Sequence, residues 1–213
     1  MESPFCGAVP DGTRLIETFG WSPTGGFARL DAHLARMARS ATILRFDFDQ
    51  IAAKSALAVS GDAPLRCRLT LGRDGFEFTT ALMTPVTNPW RLTIASDRLS
   101  SNDPWLSHKT TQRALYDATR ANLPNTADEA LFLNERQEAC EGTITNLFVT
   151  VKTGEMLTPP LSSGLLPGIL RQALLANGTA REAVVDLDML RTASSIKMGN
   201  SLRGLIPAKL IDT

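Results

Sequence analysis

The chain has 213 residues, 43% of them hydrophobic and 21% charged, enough for one sizeable domain or two small ones. Its 22 basic and 22 acidic residues cancel, which argues against a nucleic acid or other polyanion as partner. Three widely spaced cysteines (Cys6, Cys67, Cys140) form no CxxC pair, so neither a disulfide framework nor a metal site is expected and a reducing cytoplasm fits better.

The opening MESPFCGAVPDG has no basic stretch followed by an apolar one, so it does not read as a secretory signal. No apolar run is long enough for a membrane span. RLIETFGW (Arg14 to Trp21) reads as a strand, followed by the Gly-rich turn SPTGG. Asp31 is placed to N-cap a helix through about Leu44, with Leu34, Met37, Ala38, Ala41 and Leu44 on one face. A second helix is expected after Asp49. LRCRLTLG alternates, with Leu65, Cys67, Leu69 and Leu71 on one side, and Asp74-Gly75 turns it into FEFTTALM as a hairpin.

WRLTIASD is a further strand, and Asn88-Pro89 and SSNDP are turn-rich. The lobe boundary is expected within residues 85–104, giving a small α+β lobe over 1–95 and a larger, strand-rich lobe over 96–213. In the second lobe a helix follows Lys109, and ALFLN, TNLFVTV and EMLTP read as strands. The helix PGILRQALLAN is stopped by Gly178, and EAVVDL, the short helix DMLRTA, SIKMGN and GLIPAKLI complete the chain. The predicted class is α+β.

Four segments stand out for chemistry: HKTTQRALYDATR with His108-Lys109, NERQEACEGTITNLFV with Glu141, TPPLSSGLLPGILRQALL, and NSLRG (Asn200 to Gly204). In the third, Pro167 suits a first helical turn and Gly168 permits close backbone approach, leaving the N–H groups of Ile169 and Leu170 as anion donors. In order and spacing, the four resemble the class IV aminotransferase family, the fold type IV enzymes that use pyridoxal 5'-phosphate (PLP). Within it the resemblance is strongest to the branch of 4-amino-4-deoxychorismate lyases fused to aminodeoxychorismate synthase, and it runs from RLIETFGW to the C-terminus.

That resemblance implies a D-amino acid aminotransferase-like fold, with two lobes and the cofactor at their interface. It makes Lys109 the lysine that attaches PLP covalently and later moves a proton. It makes Glu141 the carboxylate that keeps the pyridine nitrogen protonated. Arg36, in a His-x-x-Arg helix, is expected to reach the phosphate, with Ser201, Gly168, Ile169 and Leu170 completing the cradle. Arg73 and Arg203 are candidates for a substrate carboxylate, and Arg113 and Thr18 for the wall of the site.

Tyr116 is read either as a donor to the cofactor's phenolate oxygen or as a packed ring. His108 and Asn146 are read as supporting residues, and Glu135 and Glu138 as solvated acids. The activity implied is release of pyruvate from 4-amino-4-deoxychorismate to give 4-aminobenzoate, a folate precursor. Transamination of branched-chain or D-amino acids is the alternative, and a non-catalytic homologue supporting a synthase partner is a second. A homodimer, a small-molecule substrate and a separate aminodeoxychorismate synthase are the partners the resemblance implies.

Overall fold

A computed structural model describes residues 8–86 and 88–211; Cys6 and the first seven positions of the opening segment lie outside them. The chain divides into two compact units. One runs to Pro85 and takes back His108–Gln112, and the other holds Val86–Ser107 and everything from Arg113.

In the first unit, β1 (Leu15–Ser22), β2 (Gly26–Phe27), β3 (Leu65–Gly72) and β4 (Gly75–Leu82) form an antiparallel sheet in the order β2-β1-β3-β4. The hairpin expected at Asp74-Gly75 is present, and Gly75 supplies the positive φ of 103° that its turn requires. Helix α1 (Leu30–Leu44) buries Leu34, Met37, Ala41 and Leu44, while Phe19, Cys67, Leu69 and Leu71 are buried from the strands. Each large apolar side chain so buried contributes about 1.5–3 kcal/mol.

Asp31 does not cap α1. The cap residue is Arg29, in the left-handed region (φ 53°), and its carbonyl accepts the His33 N–H at 3.2 Å, so the helix starts two residues earlier. Asp31 instead sits in the first turn, where its charge complements the helix dipole. Asp49 does cap α2 (Gln50–Ser55), accepting the Ile51 N–H at 2.7 Å. His108–Gln112 joins this unit because Thr110 bridges to Leu15, the Lys109 carbonyl accepts the Ile16 N–H (2.8 Å) and the Arg14 carbonyl accepts that of Thr111 (3.0 Å).

The second unit contains β5 (Trp90–Leu99), α3 (Ala114–Ala121), β6 (Glu129–Asn134), β7 (Ala139–Gly142), β8 (Asn146–Thr150), β9 (Met156–Thr158), α4 (Ile169–Ala176), β10 (Arg181–Glu182), α5 (Leu187–Thr192), β11 (Ser195–Asn200) and β12 (Gly204–Leu210). The sheet order is β10-β9-β8-β11-β12-β5-β6-β7, and a further β8–β7 pairing at Glu141↔Asn146 links its ends, so six strands close into a ring. Strand β6 is buried on both faces: Leu131 and Leu133 enter a cluster with Leu92, Leu147, Val149 and Met198, while Ala130 and Phe132 enter one with Ala95, Leu99, Cys140 and Leu165. This is why ALFLN reads as a continuous apolar run rather than an alternation.

The expected boundary at residue 95 is corrected to 85/86. Strand β5 pairs in parallel with β6 and β12, which fixes all of Trp90–Leu99 in the second unit. Lys109 was expected in the larger lobe, but its backbone pairing assigns it to the first unit. EAVVDL contributes only Glu182 to the two-residue β10, and its Leu187 already begins α5. Glu138 is no solvated acid: it accepts from Arg136 (2.8 Å), Asn134 (2.9 Å) and Ser163 (2.8 Å), and the Arg136 bond, the largest influence, holds its carboxyl down at about 2. Glu135 is exposed, as expected, and accepts from the Ser101 hydroxyl at 2.6 Å and its amide at 2.8 Å.

Candidate active site

Glu141 lies on β7, between β6 and β8, and is only 6% exposed. A carboxylate there requires donors. The Tyr116 hydroxyl donates to Oε1 at 2.8 Å, and Asn146 Nδ2 lies 3.4 Å from Oε2. The turn that follows is held from behind by Glu129, fully buried on β6. Its Oε1 accepts the Thr143 N–H (3.0 Å) and hydroxyl (2.5 Å), and its Oε2 accepts the Thr145 hydroxyl (3.0 Å). Gly142 must be glycine, because a Cβ would come within 2.5 Å of Thr145 Oγ1 and 2.9 Å of Glu129 Oε2.

Helix α3 presents one face to the same turn. Arg113 Nη2 donates to the Thr143 carbonyl (3.0 Å), Tyr116 to Glu141, and Arg120 Nη1 to the Thr143 hydroxyl (3.0 Å), a spacing of three and four residues. Arg113 also pairs with Asp117 at 2.8 Å and lies 5.6 Å from the Tyr116 ring centroid. The Tyr116 ring packs edge-on against Phe132 (5.0 Å between centroids). Burial first, and then the Glu141 charge, pushes the Tyr116 phenol far up, so it remains a donor at neutral pH. The Tyr116 ring packs on Phe132 and its hydroxyl goes to Glu141.

Helix α4 begins at Ile169 with Gly168 as cap, so Pro167 precedes the first turn instead of occupying it. No side chain caps this end, and the first intrahelical bond on the cap runs from the Gln172 N–H to the Gly168 carbonyl (2.9 Å). The amides of Ile169 and Leu170 therefore have no acceptor within the helix. Asn146 braces this end, its Nδ2 donating to the Leu166 carbonyl at 3.0 Å. A Cβ on Gly168 would stand 1.9 Å from Asn146 Oδ1.

The turn carrying Ser201 and Arg203 is held by Asn200, whose Oδ1 accepts the Leu202 (3.1 Å) and Arg203 (2.9 Å) N–H groups and whose Nδ2 donates to the Ile144 carbonyl (3.2 Å). The Leu202 and Arg203 amides are thus committed to Asn200. Ser201 and Arg203 are both half-buried.

In the first unit, Lys109 is half-buried beside β1, and His108 Nδ1 lies 2.9 Å from Ser40 Oγ on α1. Burial lowers the His108 pKa, which favours the neutral ring. Thr18 is half-buried on β1 opposite Arg68 of β3. Arg36, expected on the phosphate, directs two of its nitrogens to Glu17: Nε to Oε1 at 2.8 Å and Nη2 to Oε2 at 2.6 Å. Arg73, expected on a substrate carboxylate, donates to the Arg45 carbonyl and stacks 4.6 Å from the Phe46 ring centroid. That carbonyl belongs to the left-handed residue that ends α1 (φ 58°).

Sequence reasoning missed Glu17 and Glu129. Strand alternation was the signal for Glu17, since it shares a face with buried Phe19 while His33 and Arg36 share the inward face of α1 with Leu34 and Met37. Glu129 carried no such signal; its partners lie 14 to 16 residues onward.

The donor set of the second unit fits a phosphorylated pyridine. A buried carboxylate suits a protonated ring nitrogen, and a helix start with bare amides and a glycine cap suits a phosphate. Among the described residues no group of His, Cys, Asp and Glu could hold a metal, and no helix is long and apolar enough to cross a membrane.

Comparison with known proteins agrees with this chemistry. The profile of the class IV aminotransferase family matches residues 14–211. A protein of Schizosaccharomyces pombe, provisionally named an aminodeoxychorismate lyase, is 29% identical over 196 residues, covering 85% of this chain and 84% of its own. A Mesorhizobium loti structure, provisionally named an amino-acid aminotransferase, is 43% identical with a TM-score of 0.90, covering 93% of this chain and all of that one. A Legionella pneumophila structure, provisionally named a 4-amino-4-deoxychorismate lyase, shares the fold at 21% identity and a TM-score of 0.78, covering 94% of this chain and 83% of that one.

Proposed function

Because this chain belongs to the class IV aminotransferase family, whose members depend on PLP, we propose that it is a PLP-dependent 4-amino-4-deoxychorismate lyase acting in the cytoplasm as a homodimer. The observation that carries the lyase reading is the S. pombe relative of that name, which matches over 84% of its own length. The reaction needs no second substrate. The carbon bearing the amine loses a proton, the neighbouring C–O bond breaks, and the enolpyruvyl oxygen leaves with the electron pair and takes up a proton as pyruvate. The ring left behind is aromatic, which drives the step, and its product, 4-aminobenzoate, is a folate precursor.

When bound, PLP supplies an electron sink for the pair released at the amine-bearing carbon. The protein does the rest. Lys109 would hold the cofactor through its ε-amine and would take the proton from that carbon. Glu141, fixed by Tyr116 and Asn146, keeps a proton on the ring nitrogen. Ile169 and Leu170, at the start of α4, would donate their amides to the phosphate. Arg203 and Ser201, on the turn braced by Asn200, are the proposed contacts for substrate or phosphate oxygens.

The test has two parts. Borohydride reduction of PLP-loaded protein followed by peptide mapping should label Lys109, and Lys109→Ala should lose the visible absorption band. Aminodeoxychorismate supplied without any 2-oxo acid should release pyruvate. A label elsewhere would overturn the cofactor assignment, and absence of pyruvate would overturn the lyase. The M. loti structure, at 43% identity, favours a second reading, amino-acid transamination. In that case activity would appear only when a 2-oxo acid accompanies the amino acid. A separate synthase subunit as partner is a further proposal, tested by co-purification with aminodeoxychorismate synthase.

A further inference from the structure

Tyr116 does more than fill space beside Glu141. Its hydroxyl donates to Oε1 at 2.8 Å, and its ring is wedged between Phe132, at 5.0 Å, and the Arg113 guanidinium, at 5.6 Å from the ring centroid. Arg113 is itself anchored on the Thr143 carbonyl (3.0 Å), two residues beyond Glu141, so one turn of α3 fixes both the carboxylate and the backbone that follows it. A carboxylate opposite a pyridine nitrogen acts through its position and its share of negative charge, and both depend on what else hydrogen-bonds to it.

We infer that Tyr116 is the positioning residue for the proposed cofactor's ring nitrogen. It orients Glu141 from the side and acts on the cofactor only through that carboxylate. The inference rests on the reading of Glu141 as the partner of the ring nitrogen. It assigns the phenol a different task from contact with the cofactor's own phenolate oxygen. Charge-assisted hydrogen bonds are among the stronger ones, so the loss should be visible in cofactor affinity.

Tyr116→Phe keeps the ring and removes the hydroxyl. Equilibrium titration of the apo-protein with PLP should show affinity falling about tenfold, with a displaced pH midpoint of the bound cofactor's visible band. In a Glu141→Gln background the same substitution should cost nothing further. With a PLP analogue carrying C–H in place of the ring nitrogen, Tyr116→Phe and wild type should bind alike. Equal losses in both backgrounds, or with both cofactors, would mean that the phenol serves packing or touches the cofactor directly, and would overturn the inference. Wild-type protein that takes up no PLP would instead overturn the functional reading, and the inference with it.

Discussion

Glu17 of β1 and Arg36 of α1 meet in a two-point ion pair, Nε to Oε1 at 2.8 Å and Nη2 to Oε2 at 2.6 Å, with both side chains almost wholly out of solvent. His33, one helical turn before Arg36, places Nδ1 2.5 Å from Oε2 of the same carboxylate. The arginine that the sequence pattern directs to a phosphate is therefore also the link that ties the first helix to the first strand. Burial alone would raise the Glu17 carboxyl; Arg36 first, then His33, outweigh it and hold it below its ordinary 4.5.

Breaking this pair should be costly. Glu17→Gln leaves the Arg36 charge buried against a neutral amide, a change worth about 3–5 kcal/mol. Because the folded carboxyl is depressed, its contribution is complete above the unfolded value of 4.5 and is lost as pH falls through the folded one. Urea unfolding of wild type should therefore show stability declining on acidification below pH 4.5, while Glu17→Gln should start lower and decline less. An unchanged midpoint at neutral pH would disprove the structural role.

How much of this was legible beforehand depends on how local the cause is. The hairpin at Asp74-Gly75, the cap at Asp49 and the helix stop at Gly178 follow from turn and cap chemistry within a few residues, and all are present. The start of α1 was misread because Asp31 is a good cap residue in isolation, whereas the chain leaving β2 places Arg29 in the left-handed region first. The unit boundary was misread because WRLTIASD has no local sign of its partners; pairing with β6 and β12 decides where it belongs. At the site, Lys109 and Glu141 are what the family resemblance implies, and Gly168 was read from the helix start beside it. Neither gave any sign that Asn200 takes up two turn amides or that Arg73 serves the Arg45 carbonyl, because those bonds depend on rotamers that tertiary packing selects.

Gly168 is a steric requirement, since its φ of −65° and ψ of 143° suit any residue. Gly168→Ala should push the Asn146 amide away, release the Leu166 carbonyl and lower stability by about 1–3 kcal/mol, with weaker PLP binding. Asn146→Ala removes the obstacle, so Gly168→Ala added to it should cost little more. Denaturant titration of the two single variants and the double variant checks this; simple additivity would mean that the 1.9 Å approach is relieved elsewhere.

The buried thiols should be inert. Cys67 and Cys140 are both fully buried, and burial raises the first to about 11 and the second to about 12, the Glu141 charge adding to the latter. The thiolate is the reactive form, so iodoacetamide at pH 8 should leave both unmodified in folded protein and label both in urea. Peptide mapping reads each site separately. Rapid native labelling at Cys140 would mean that β7 opens readily, which is incompatible with a fixed Glu141.

Glu129 offers the sharpest separation between fold and chemistry. Oε1 faces the Ala130 N–H (3.1 Å), the Thr143 N–H (3.0 Å) and the Thr143 hydroxyl (2.5 Å), while Oε2 faces the Thr145 hydroxyl (3.0 Å) and the Ile144 N–H (3.4 Å). An amide in its place must turn its NH2 toward one of these sets of donors, leaving a buried conflict worth about 1–3 kcal/mol per unmet group. Glu129→Gln should therefore be destabilised and should also bind PLP more weakly, because the turn that follows Glu141 loses its brace. Glu129→Asp, too short to reach both sets, should lose the Oε2-side contacts but keep a charged acceptor. Thermal melts together with PLP titration of the two variants test this. If Glu129→Gln unfolds at a lower temperature yet binds PLP as wild type does below that temperature, Glu129 supports the sheet alone and has no hold on Glu141.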